Sequence, residues 1–188
     1  MRKSRRLPFD PVARAERLWS RRWGAGDSMG AATSIMRVQQ LLLARYDEAL
    51  RAYGLTFARY EALVLLHFSR SERLPLSVIG ERLMVHPTSV TNIVQRLEQA
   101  GLVDRIPNPD DGRGSLAGIT PSGLELMHRA TADLVALDFG LEALDGAERE
   151  ELFRLLRKVR LHAGDFEGDA ADLDEELADD GLADHRAG

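Results

Sequence analysis

The sequence predicts a mainly α-helical protein carrying one small β-hairpin, and three observations point there. Apolar residues recur at helical spacing in most segments. Helix-opening residues stand where those segments begin: Pro11, Pro87, Pro121 and Asp145. One stretch, residues 102–120, breaks the pattern with two extended runs separated by Pro, Asn, Asp and Gly.

Taken in order, residues 11–23 read as a helix that starts at Pro11 and stops before a linker, residues 24–27. A long helix follows over 28–53 with Ile35, Leu41, Leu42, Leu43, Ala44 and Leu50, and another over 56–69 with Tyr60, Leu63, Val64, Leu66 and Phe68. Leu76, Ile79 and Leu83 form the buried stripe of a short helix. Pro87 opens the next, which buries Val90, Val94 and Leu97 and ends at Ala100 and Gly101. Strands are expected over 102–106 and 115–120, with the turn over 107–114. Pro121 opens a helix running to about residue 142, and Asp145 caps a last one bearing Leu152, Phe153, Leu155, Leu156, Val159 and Leu161. That last stripe exceeds what one small domain buries and fits a dimer interface.

Two short helices followed by a hairpin make a winged helix-turn-helix, a DNA-reading module. On the second helix, Thr88, Thr91, Asn92 and Gln95 share the face opposite the apolar stripe, and Pro87 and Ser89 lie in its first turn. Short hydroxyl and amide side chains of this kind reach base edges or phosphates in a major groove. The plain alternative is a solvated polar face. In the hairpin, Arg113 is expected at the tip, held by Asp111, where it suits the negative potential of a narrow minor groove. The alternative there is an incidental surface ion pair.

Residues 54–123 resemble the MarR family of bacterial transcription regulators. The carriers are Gly54, Leu55 and Thr56 at a helix start, the polar-faced helix, the run Leu97-Glu98-Gln99-Ala100-Gly101-Leu102-Val103, and Asp110-Asp111-Gly112-Arg113 leading to Ile119-Thr120-Pro121-Ser122-Gly123. The resemblance implies a homodimer on a pseudo-palindromic double-stranded DNA operator, with binding weakened by a small ligand. The extra helix carrying Trp19 is similar to the branch that includes urate-responsive and trans-aconitate-responsive Streptomyces-type regulators. In the urate set, Trp19, Glu61 and Arg105 match the Trp, the acid and the strand Arg, while Ile93 stands where the recognition-helix Arg would be. Pro8-Phe9-Asp10-Pro11, the run Arg21-Arg22-Trp23-Gly24 and residues 80–92 look closer to the aconitate type. The implied ligand is then a small anionic metabolite such as trans-aconitate or citrate, with urate as the alternative. A tricarboxylate needs several cationic donors, and Arg22, Arg37, Arg45, His67 and Arg105 are available. Packing alone is the competing role for the Trp residues.

The net charge of −5 is unevenly spread. Ten acids against Arg186 alone leave residues 164–188 at −9 and residues 1–163 at +4. Bases cluster at Arg2, Lys3, Arg5, Arg6, Arg14, Arg17, Arg21 and Arg22. The winged region is not basic, so backbone amides, helix N-termini and outlying cations must carry phosphate affinity. The acidic tail is expected to be disordered. No apolar run of about 18 residues occurs and none follows the basic N-terminus, so neither a membrane span nor a signal peptide is expected and the location is expected to be cytoplasmic. With no cysteine, neither disulfides nor thiol sensing is available.

Catalysis finds no support. Gly112-Arg113-Gly114 is too short for a phosphate loop, and the five histidines (67, 86, 128, 162 and 185) lack metal-ligand spacing. They read as surface or capping residues. No cofactor, metal or enzyme activity is expected. A winged-helix protein–protein adaptor without DNA binding is the other class, against which the polar, nearly acid-free face of the second helix argues. The expected organisation is a basic arm and extra helix over 1–27, a main domain over 28–163 and the acidic tail over 164–188. Within the main domain the winged module covers about 54–120, and 28–53 and 121–163 serve dimerisation.

Overall fold

A computed structural model describes residues 7–109 and 111–167; the side chains of 111–113 are outside that description. The basic residues Arg2, Lys3, Arg5 and Arg6, the turn residue Asp110 and the acidic segment from 168 onward lie outside the described residues. The chain divides into two compact units, residues 1–57 and 58–188.

In the first unit, helix α1 (Pro11–Trp23) is capped by Asp10, whose carboxylate accepts from the Val12 and Ala13 amides at 2.9 and 3.1 Å. Gly24, at φ 74°, ends it. The linker expected over 24–27 is shorter than the composition suggested, because helix α2 (Gly26–Leu50) already starts at Gly26. There α2 crosses α1 so closely that a Cβ would lie 1.9 Å from Ser20 Oγ and 2.8 Å from the Glu16 carbonyl oxygen. Only glycine fits. The long helix ends at Leu50, not at 53; residues Arg51–Tyr53 tighten into a 3₁₀ turn closed by Gly54 at φ 67°. Asp47 then accepts from the Phe57 amide at 2.7 Å, and the Tyr46 and Phe57 rings lie 4.5 Å apart.

The second unit holds α3 (Phe57–His67, entered from the first unit), β1 (Arg73–Pro75), α4 (Leu76–Arg82), α5 (Pro87–Gln99), β2 (Val103–Asn108), β3 (Asp111–Ile119), α6 (Pro121–Ala136) and α7 (Gly146–His162). Its core gathers Leu63 and Leu66 of α3, Ile79 of α4, Val90, Val94 and Leu97 of α5, Val103 of β2 and Leu134 of α6, all essentially inaccessible. Each buried aliphatic of this size contributes about 1.5–3 kcal/mol. Of the stripe expected on α4, only Ile79 is fully buried; Leu76 and Leu83 are half-buried.

The sheet has three antiparallel strands in the order β1-β3-β2. Strand β1 was not legible in advance: it is three residues long and ends in Pro75, too short for an alternation to register. It pairs Arg73 with Gly118 and Leu74 with Ala117. The hairpin strands are longer than expected and the turn between them is shorter, so Asp111 and Arg113 belong to β3 and Arg113 is not at the tip. The register also steps. Pro107 faces Ser115 while Asn108 faces Asp111, so residues 112–114 fall between successive pairs as a bulge.

Helix α6 stops at Ala136, short of 142. The break is a 3₁₀ turn, Asp138–Gly140, entered with Asp138 and Phe139 both at positive φ (50° and 48°). Arg149 steadies it through Asp138 at 2.8 Å and the Leu144 carbonyl at 3.0 Å. The cap read at Asp145 is present as a capping box: Asp145 and Glu148 exchange side chain-to-amide bonds, both 2.9 Å. No residue of α7 is buried; Phe153 is 62% and Val159 59% exposed.

Candidate nucleic-acid interface

Helix α5 is built with two opposed faces. Val90, Ile93, Val94 and Leu97 point into the core, a spacing of i, i+3, i+4, i+7. Pro87, Thr88, Ser89, Thr91, Asn92 and Gln95 are all exposed. Ile93 joins the core, so the position where the urate set has an Arg faces inward here. Gly80 brings α4 close: a Cβ there would sit 3.0 Å from Val90 Cγ2. The Thr91 hydroxyl donates back to the Pro87 carbonyl at 3.1 Å, leaving its lone pairs to accept from outside.

The N-terminus of α5 is capped by one of the histidines expected at surface or capping positions. His86 is the N-cap, and its Nδ1 accepts from the Thr88 amide at 3.3 Å. The usual cap residues are Ser, Thr, Asp and Asn, so no standard signal marked it. At the other end, the Thr120 hydroxyl donates to the Gly101 carbonyl at 2.8 Å and accepts from the Gly123 amide at 3.0 Å. One side chain thereby joins the end of α5, the end of β3 and the start of α6. Asp111 and Arg113 follow the turn on β3, and their side chains lie outside the described residues.

The candidate ligand residues fall into two sets. Trp19, Arg22 and Arg37 are in residues 1–57 and all are exposed, Trp19 by 41%. The Trp19 ring packs on Trp23 at 4.7 Å, so the packing role is real for at least one face of the indole. Glu61 and His67 are on α3 and Arg105 is on β2, exposed. Glu61 is half-buried, forms no hydrogen bond or ion pair among the described residues, and burial pushes its carboxyl above the usual range. His67 ends α3; its Nδ1 is buried without a hydrogen bond, 3.6 Å from the Glu72 carboxylate, and its ring meets His128 edge-on at 5.4 Å. Spacing gave no sign of this grouping: Glu72 lies past the end of α3, and only the fold brings His128 of α6 to His67. No group of three or more His, Asp or Glu among the described residues could hold a metal ion. Nor is any described helix long and apolar enough to cross a membrane.

A helix pair with a polar outer face, followed by a β-hairpin that pairs with the short strand before the helices, defines the winged helix-turn-helix class. The sequence profile of the MarR family matches residues 53–114. The chain is 59% identical to Sco5413, a MarR family transcriptional regulator from Streptomyces coelicolor; the match covers 76% of this chain and 99% of that one, with a TM-score of 0.71. It is 26% identical to Sco3205 of the same organism, a MarR family transcriptional regulator solved in complex with DNA (73% and 88% covered, TM-score 0.66). It is also 30% identical over 121 residues to the HTH-type transcriptional regulator MhqR of Bacillus subtilis, covering 64% of this chain and 82% of the relative. The chain belongs to the MarR family.

Proposed function

We propose that this protein is a transcriptional repressor that binds a pseudo-palindromic operator as a homodimer and lets go when it takes up a small anionic metabolite. The carrying observation is α5: four apolar residues lock one face into the core while Thr88, Ser89, Thr91, Asn92 and Gln95 stand exposed together on the other. Such a helix is held rigidly from behind and offers only hydrogen-bonding groups in front, which suits base edges and phosphates. Pro87 fixes its entry. Asp111 and Arg113 supply the wing contact, with Arg113 in the flanking minor groove. The DNA complex of Sco3205 supports the reading by likeness.

Dimerisation is supported by apolar surface that stays exposed among the described residues: Phe153, Leu155, Val159 and Leu161 on α7, and Ile35, Val38 and Leu41 on α2. Two copies would place their α5 helices in half-sites about one DNA turn apart. For the ligand, Trp19, Arg22 and Arg37 are exposed aromatic and cationic groups; in the second unit Glu61 and Arg105 match the resemblance, and His67 is a further candidate donor. Citrate or trans-aconitate would be held by the cationic candidates, Arg22, Arg37, His67 and Arg105, through charge-assisted hydrogen bonds; urate, with Glu61 as the matching acid, is the alternative.

The test is fluorescence anisotropy of a labelled duplex from upstream of the protein's own gene, followed by addition of citrate, trans-aconitate and urate. Tight, salt-sensitive binding relieved by a tricarboxylate is expected. Release by urate alone moves the ligand to the purine class. Absence of any sequence-specific binding refutes self-regulation and favours the adaptor.

A further inference from the structure

The N-cap of α5 is a histidine whose acceptor nitrogen is in use. Nδ1 of His86 accepts from the Thr88 amide at 3.3 Å, while the His86 carbonyl accepts from the Ser89 and Val90 amides at 2.8 and 3.1 Å. An imidazole nitrogen can accept only when it carries no proton. The bond therefore fixes the tautomer: Nδ1 bare, Nε2 protonated. Nε2 has no partner among the described residues, and the ring lies at an exposed corner. The charged groups of the two helices meeting there are Glu81 and Arg82 on α4, and Arg96 and Glu98 further along α5. All are exposed, and none is hydrogen-bonded or ion-paired to His86 among the described residues.

Histidine is the side chain whose charge ordinarily changes between about pH 5 and 8. Adding a proton at Nδ1 turns the acceptor into a donor facing another donor. It also sets a full positive charge against the positive end of the helix dipole. Both effects expel the imidazole from its cap position. The turn that loses its cap is the one carrying Thr88 and Ser89. Neutral serine, threonine or asparagine at this position would cap equally well and would not respond to pH.

We infer that His86 is a positioning residue for DNA reading: its bare Nδ1 holds the first turn of α5 in register for the groove, and protonation releases that turn and weakens binding. This rests on the DNA-binding reading above. The experiment compares wild type with His86→Asn by anisotropy on the same duplex between pH 5.5 and 8, at constant ionic strength. The Asn variant corrects for every other titrating group. Wild type is expected to lose roughly three- to tenfold more affinity on acidification than the variant, the size of one lost cap. Equal pH curves, or a wild type that tightens relative to the variant, overturn the inference. In parallel, ¹⁵N-imidazole NMR of the full chain without DNA reads the tautomer. An unprotonated Nδ1 at pH 8, with the Thr88 amide shift following the same titration, is expected; a protonated Nδ1 at pH 8 overturns the inference. If no DNA binds at any pH the regulator reading fails, and the NMR still decides the cap.

Discussion

The Thr120 hydroxyl stands between two backbones, donating to the Gly101 carbonyl at 2.8 Å while capping α6 through the Gly123 amide. Gly101, at φ 70°, is the stop of α5, so this one oxygen ties α5 to the base of the wing. Thr120→Val removes both bonds at nearly constant shape. Stability should fall by about 1–2 kcal/mol, and Thr120→Ser should recover most of it. Urea unfolding of the three proteins checks this.

Gly123 sits where a Cβ would lie 2.1 Å from the Leu102 carbonyl oxygen. The obstacle is backbone, which cannot rotate aside. Gly123→Ala should therefore cost more than about 2 kcal/mol despite the better helix propensity of alanine. Thermal unfolding gives the answer; an unchanged midpoint would mean that β2 and α6 separate freely.

Glu61 makes stability fall as pH rises. Burial raises its folded-state titration above the unfolded value, so folding favours the protonated form. Stability from this group is fully present below the unfolded value, about pH 4.3, and is lost as pH climbs through the folded one. Glu61→Gln should flatten this part of the profile. The side chain is only partly buried, so the effect is small, and a stability–pH curve from pH 4 to 7 for both proteins measures it.

Arg113→Ala should weaken operator binding by about 1–3 kcal/mol and lower its salt dependence by about one counterion. Anisotropy at several salt concentrations tests this, and unchanged affinity would take the wing out of the mechanism.

Trp19→Ala should abolish the response to the small-molecule effector and leave operator affinity within about twofold. Because Trp19 also packs on Trp23, sedimentation must accompany the measurement. Equal loss of dimer would make Trp19 structural.

Much of this was legible in the sequence where one strong local signal controlled the outcome. Helix α1 runs over the expected residues because Asp10, Pro11 and Gly24 define both ends locally. Helix α5 and the box at Asp145 follow for the same reason. The signal failed where a distant partner decides. Strand β1 exists only because β3 offers Gly118, Ala117 and Leu116 to it. Asp111 belongs to β3 and not to the turn because Asn108, the last residue of β2, pairs with it. Helix α6 breaks at two non-glycine residues in left-handed backbone, which no composition announces. The polar face of α5 was legible because a polar face opposite an apolar one is a property of spacing. The His67–Glu72–His128 grouping was not, because its members lie on three separate segments.

The three-stranded wing is clamped unevenly. Near its root, β3 has a neighbour on each side, β1 at 116–118 and β2 at 116–119. Beyond Ser115 it has β2 alone, and there the register steps by three residues. The wing is thus a cantilever, three strands wide at the root and two from the Pro107–Ser115 pair outward, and a sideways load on its outer end concentrates flexure at that step. In the proposed regulator, the outer segment would then adjust to the local width of a DNA groove while the root keeps its place beside β1.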